Sequence, residues 1–226
     1  GSKIGGLVGE NKGTITKSAA IGNVSAPSST TVGGFAGDST GDIYDSHAEG
    51  DVSGFGTVGG FAGYSSGIVK NCYSLGNVSG RESTGGFAGA ISAAENTISA
   101  GYVTISGTSS TGYNGGFTGR LSGQLTGIEN QITIKNSYGN CIQVGATPLN
   151  VVGNSSSFQG EAQQAVLSEM TLVTPEAVSE KLYEMFGVNL KGSDALAPEA
   201  EKYRDSLLVT SDTAVGTALS LLKEGQ

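Results

Sequence analysis

Residues 59–79 read Gly-Gly-Phe-Ala-Gly-Tyr-Ser-Ser-Gly-Ile-Val-Lys-Asn-Cys-Tyr-Ser-Leu-Gly-Asn-Val-Ser, and this stretch is one copy of a unit that recurs along the chain. A glycine pair followed by an apolar residue appears at Gly5-Gly6-Leu7, Gly33-Gly34-Phe35, Gly59-Gly60-Phe61, Gly85-Gly86-Phe87 and Gly115-Gly116-Phe117. The anchors are spaced 28, 26, 26 and 30 residues apart. A second anchor keeps step with the first: Gly22-Asn23-Val24-Ser25, Gly50-Asp51-Val52-Ser53, Gly76-Asn77-Val78-Ser79 and the altered form Gly101-Tyr102-Val103-Thr104. A period of this size is the mark of a solenoid, a propeller or an array.

Equal offsets within the unit stack on one another in a solenoid, so each offset can be read as a column. The column Leu7, Phe35, Phe61, Phe87, Phe117 places one large apolar side chain per coil inside the stack, each worth roughly 1.5–3 kcal/mol when buried. Val8, Ala36, Ala62, Ala88 and Thr118 follow it, and Ile15, Ile43 and Val69 form a further core column. Towards the end of each unit alternate positions are small or apolar: Ser18, Ser46 and Cys72, then Ala20, Ala48 and Ser74, then the glycines and Val24, Val52 and Val78. Period two is a strand with one buried face. The intervening residues, among them Asp45, His47 and Tyr73, are expected to face solvent. The glycine pairs are expected at corners, as a positive φ or as a point of close backbone approach. A unit this small cannot bury its own strands, so neighbours must supply the pairing. The fold expected is a short right-handed parallel β-helix of about five coils over residues 4–145, an exit segment over 146–173, and a small helical region over 174–226.

The helical region rests on a change of period from two to about 3.6 at Thr174. Thr174 suits an N-cap and Pro175 the first helical position; Val178, Leu182, Met185 and Phe186 share a face, and Gly187 suits the end. Two further helices are predicted over 198–208 and 212–223, the three forming a cap over the last coil or, alternatively, a small helical domain of their own.

Composition narrows the function. Of 226 residues 38 are glycine, 14% are charged, and tryptophan is absent, a profile foreign to a helical enzyme. The net charge of −8 opposes contact with nucleic-acid phosphates, which requires clustered Lys and Arg. No run of 18 apolar residues occurs, so no membrane insertion is expected within these residues. The chain opens almost inside a repeat, as expected of a piece excised from a longer polypeptide. Cys72 and Cys141 lie two coils apart, roughly 9–10 Å along the axis at one strand spacing per coil, which exceeds the roughly 7 Å Cα limit of a disulfide. Two free thiols are expected.

Chemistry-bearing groups are few. With a single histidine the chain cannot form a two-histidine zinc motif. Asp45, Ser46 and His47 are adjacent, but on a strand Ser46 points away from its neighbours, so no triad converges. Asp45, His47 and Glu49 would share an outward face that a hard cation such as calcium could use; a solvated acidic face is the simpler reading. No catalytic residue and no cofactor is expected. Tyr44, Tyr64, Tyr73, Tyr102, Tyr113 and Tyr138 supply aromatic surface of the kind that can stack on sugar rings. Asn23, Asn77 and Asn154 head Asn-x-Ser sequons.

Gly5-Gly6-Leu7-Val8-Gly9-Glu10-Asn11-Lys12-Gly13-Thr14-Ile15, with Ser18-Ala19 and Gly22-Asn23-Val24-Ser25, resembles the GLUG repeat. That repeat occurs in large secreted and surface proteins of bacteria, among them the noncatalytic parts of immunoglobulin A-cleaving metallopeptidases and adhesin-like filamentous proteins. The resemblance covers about residues 4–145, with Phe in place of Leu from the second unit onward. It implies an extracellular bacterial β-solenoid and supplies no catalytic residue and no ligand. The function expected is a noncatalytic repeat scaffold or adhesion module of a bacterial surface protein, monomeric, with a host or cell-surface protein or a glycan as partner. An accessory region of a secreted peptidase and a carbohydrate-binding module are the alternatives.

Overall fold

A computed structural model of the chain describes residues 1–105, 113–122, 125–126, 129–130, 133–140, 143–144, 150–154 and 169–188. It is a mainly β protein, a parallel β-solenoid of about four turns with a small C-terminal helix. Five glycine anchors delimit four complete turns, which accounts for the difference from the five coils read off the sequence. The first coil contains five short strands, Lys3–Gly5, Val8–Asn11, Ile15–Thr16, Ala19–Ala20 and Val24–Ala26, and each pairs in parallel with its counterpart one coil on. Lys3–Gly5 pairs with Thr31–Gly33, which pairs with Thr57–Gly59, then Ser83–Gly85, then the start of Tyr113–Leu121. Val24, Val52, Val78 and Val103 are likewise in register along a second sheet.

The aromatic column forms as the spacing predicts. Phe35, Phe61, Phe87 and Phe117 are fully buried, and successive rings stack nearly parallel with centroids 4.8, 5.0 and 5.3 Å apart. Val32 and Val58 pack with Val24, Val52 and Val78 in a separate small core. The one-residue deletion that brings Gly101 forward is absorbed where Ala62–Ser74 pairs with Ala88–Ser99, as a register shift between Ser65 and Ile68. A bulge there lets the strand columns on either side stay aligned. The extra residues before the fifth anchor, 106–112, lie outside the described residues.

The glycine pairs meet close approach and not positive φ. A Cβ on Gly34 would strike the carbonyl oxygen of Gly60, and one on Gly60 the carbonyl of Gly86, because the next coil's backbone lies against them. Positive φ falls instead on Lys17, Asp45, Asn71 and Asn96, at 49°, 49°, 54° and 51°; among the described glycines Gly187 alone has it. Asn and Asp tolerate this region better than other side-chain-bearing residues, which fits three of the four corners.

The solenoid continues past residue 145. Asn150–Asn154 pairs with Tyr113–Leu121, and Met170–Val173 pairs with Thr133–Asn140, so part of the expected exit segment adds strands. Helix α1 (Pro175–Phe186) then starts as its sequence predicts: the Thr174 hydroxyl accepts from the Ala177 N–H at 3.3 Å, and Gly187 ends it in the left-handed region. Its position differs from the expected cap. The buried face of α1, Val178 and Leu182, packs on Tyr73, Ile98, Ala100 and Val173, on the flank of the solenoid and not over its end. An outward column of large side chains on the flank needs covering, and the stripe on α1 supplies the cover. The two further predicted helices fall outside the described residues. No helix among the described residues is long and apolar enough to cross a membrane.

Leu182→Asp should therefore detach α1 and leave the phenylalanine column folded. Hydrogen exchange is expected to show helix amides losing protection while those around Phe61 keep theirs; simultaneous loss in both regions would show that the helix and solenoid fold as one unit.

Candidate functional site

The one group of titratable side chains singled out in the sequence lies at the second coil, and its geometry departs from an outward acidic face. The chain turns a left-handed corner at Asp45. Asp45 is exposed, whereas Ser46, His47 and Ala48 are all buried. The Asp45 carboxylate belongs to a ladder along the corners: the Asn71 side-chain amide donates to Asp45 Oδ1 at 2.9 Å, and that of Asn96 donates to Asn71 Oδ1 at 3.1 Å. Ser46 turns inward as expected, donating its hydroxyl to the Tyr44 carbonyl at 2.7 Å and accepting from the Ser18 N–H at 3.1 Å. That hydroxyl is committed to the backbone, and no Asp-Ser-His relay forms.

His47 and Tyr73 were expected in solvent, yet they are 5% and 6% exposed. They occupy the same offset in adjacent coils, and their rings stack 4.7 Å apart at 4°. Phe186 of α1 meets the Tyr73 ring at 5.0 Å, tilted by 49°. The column Ala19, His47, Tyr73, Ile98, Tyr138 is a second ladder, on the outside of the strand, and its burial required a helix from far along the chain.

His47 Nε2 lies 3.8 Å from Glu49 Oε1, and neither atom has a hydrogen-bond partner among the described residues. Burial pushes the His47 imidazole down to about 4 and the Glu49 carboxyl above its ordinary range, in each case because it penalises the charged form. The Tyr73 phenol is raised, first by burial and then by the Glu49 charge. Cys72, fully buried beside this column, has its thiol pushed up to about 12 by burial, and its Sγ lies 3.2 Å from the Lys70 carbonyl oxygen. Cys141 lies outside the described residues. Asp45 is bonded to Asn71, and among the described residues no three His, Cys, Asp or Glu side chains are grouped to hold a metal ion.

The depressed His47 gives a signed prediction. An unfolded histidine takes up its proton near pH 6.5 while folded His47 does so near 4, so the unfolded state binds more protons in that window and acidification destabilises the fold. Glu49, with its pKa raised, acts in the opposite sense at the lower end of the window. His47→Phe keeps a flat ring on Tyr73 and removes the titration. Between pH 7 and pH 4.5 the wild type should lose about 2 kcal/mol more than His47→Phe, by urea unfolding. Equal losses in the two proteins would show that His47 does not titrate with unfolding.

A second feature was not singled out in the sequence. Asp51, Val52, Ser53, Asn77, Val78, Ser79 and Thr104 line a shallow groove on the outer face of the valine sheet. The outward members of the Gly-Asn-Val-Ser anchor build its wall. Asn23 Oδ1 accepts from the Asp51 N–H at 2.9 Å, Asp51 Oδ1 from the Asn77 N–H at 2.8 Å, and Asn77 Oδ1 from the Tyr102 N–H at 2.9 Å. The Ser53 hydroxyl donates to Ser25 Oγ at 3.1 Å. The repeat of Asn or Asp after Gly was the available signal; it reads as a corner until the coils are stacked. Most of these polar groups are thus engaged between coils, and the groove contains no aromatic platform. Compared with family models, with curated proteins and with solved structures, the chain matches none.

Proposed function

We propose that this chain is a noncatalytic extracellular scaffold, or adhesion module, of a larger bacterial surface protein, built on GLUG-type repeats. The observation that carries the reading is the register that the coils keep on either side of local bulges. Backbone hydrogen bonds join successive coils along the axis in the two large parallel sheets, and four stacked phenylalanines fill the centre. Such a stack resists bending and presents side chains at strand spacing, which suits a spacer or a presenting surface. The titratable groups are spent on structure: Ser46 on backbone, Asp45 in the corner ladder, His47 in a covered stack. Tyr73, which led the aromatic argument for sugar binding, is buried under α1. The partner proposed is a host or cell-surface protein or glycan.

An antibody raised against residues 1–226 should label intact cells of the source organism. Labelling only after permeabilisation would overturn the extracellular assignment. A glycan array probed with the chain tests the carbohydrate reading, for which saturable binding abolished by Asn77→Ala in the groove is the required result.

A further inference from the structure

The first coil carries the imprint of a neighbour. Glycines recur at two points of the coil where the preceding coil leaves no room for a side chain. A Cβ on Gly41 would strike the Gly13 carbonyl, and one on Gly67 the Gly41 carbonyl. A Cβ on Gly50 would strike the Gly22 carbonyl, one on Gly76 that of Gly50, and one on Gly101 that of Gly76. The first members of these two columns, Gly13 and Gly22, have nothing within 4 Å of the Cβ position, and neither has a positive φ. Neither space nor backbone conformation within this chain requires glycine there. Both positions are already shaped for a backbone lying across them.

Two further observations mark the same edge. In each later coil the residue after this glycine donates its N–H to the Asn or Asp side chain of the coil before it, as Asp51 does to Asn23, Asn77 to Asp51 and Tyr102 to Asn77. In the reverse direction Val24, Val52 and Val78 donate to the carbonyls of Asp51, Asn77 and Tyr102 in the coil after them. Asn23 offers the matching N–H and carbonyl on a side where no coil lies. The apolar columns also stop short: Ile4 and Leu7 are 37% and 46% exposed, while Val32 and Phe35, their counterparts one coil on, are fully buried.

We propose that the edge formed by Ile4, Leu7, Gly13, Gly22 and Asn23 is a docking surface for one more coil of the same glycine repeat, added in parallel register. The surface is the continuation of an interface that already joins every pair of coils in the protein. The occupant must carry an Asn or Asp side chain and a valine-position N–H above Asn23, and a backbone without projecting side chains above Gly13 and Gly22. A second copy approaching with its own first coil fails that requirement, because its strands would run antiparallel to this edge and could not continue the parallel register of the columns.

The test joins a copy of residues 31–56, one coil ending just before Thr57, directly ahead of Lys3 in the full chain. Lys3, Thr31 and Thr57 share one register, so the added coil would run into the first strand in phase. Gly22→Ala and Gly50→Ala are then made in the original chain, and Gly22→Ala in the extended one. The extended chain should melt in one transition roughly 5 °C or more above the original, with the added coil resistant to limited proteolysis. Gly22→Ala should leave the original chain unchanged or slightly more stable, because it meets no atom and reduces the freedom of the unfolded chain. In the extended chain the same change should release the added coil to protease, and Gly50→Ala in the original should be as damaging as its crowding implies. Equal, small effects of Gly22→Ala in both chains, with the added coil cleaved, would show that these glycines are merely inherited from the repeat and would overturn the proposal. Concentration-dependent self-association of the original chain, abolished by Gly22→Ala, would assign the edge to a second copy and overturn it equally.

Discussion

Gly60→Val is expected to abolish folding of the central coils, and Gly60→Ala to cost about 3 kcal/mol or more, towards the upper range for overpacking. Any Cβ at Gly60 meets the Gly86 carbonyl oxygen, with Ser74 Oγ at 3.0 Å and Ser74 Cβ at 3.2 Å behind it. The obstacle is backbone held in a sheet that extends on both sides, so it cannot move aside as a flexible side chain would. The Gly60 N–H donates to that same Gly86 carbonyl at 3.1 Å, and pushing the coils apart breaks this bond together with the flanking Phe61 N–H to Phe87 carbonyl bond at 2.8 Å. Circular dichroism and a urea titration measure the outcome. A Gly60→Ala protein with an unchanged midpoint would mean that the coils separate at little cost and that the packing described here is wrong.

Phe61→Ala is expected to cost about 4 kcal/mol, within the range for deleting a buried aromatic side chain. Phe61 is fully buried, with ring neighbours on both sides, Phe35 at 4.8 Å and Phe87 at 5.0 Å. Its loss opens a gap in the middle of the column, and the strands that carry its neighbours are locked by their own hydrogen bonds, so the gap cannot collapse. Phe61→Leu should cost about 1.5 kcal/mol, since Leu is smaller but apolar and retains part of the contact. Leu already occupies the first position of this column, at Leu7. Urea midpoints at constant slope decide the ranking, and a Phe61→Ala cost below that of Phe61→Leu would refute a packed column.

The repeat was legible because a solenoid turns sequence period into spatial neighbourhood. The spacings of 28, 26, 26 and 30 residues reappear as the pairing of Lys3 with Thr31, Thr31 with Thr57, Thr57 with Ser83 and Ser83 with Tyr113. Equal offsets stack whatever the path of the coil between them, and the phenylalanine column could therefore be read without knowing a single dihedral. The ends of α1 were legible for a different reason. The Thr174 cap, Pro175 and Gly187 act through local backbone chemistry, Gly187 reaching no further than the Leu182 carbonyl.

What period and local chemistry could not supply was whether an outward column would be covered. Alternation places His47 and Tyr73 on the outer face, and they stand there with Ser46 and Cys72 turned inward, but alternation does not tell whether that face is covered. Burial of that column depends on α1 reaching back from residues 175–186 to residues 73 and 98. A contact across so many residues leaves no trace in the period of either segment. The glycines divide along the same line. Their recurrence is a property of the sequence, but their reason, a neighbour's carbonyl where a side chain would stand, exists only once the coils are stacked. The sequence alone therefore determined that coils form and which residues fill their centre; the tertiary structure decided which outward faces are covered and which edge is left open, because both depend on groups that meet only in space.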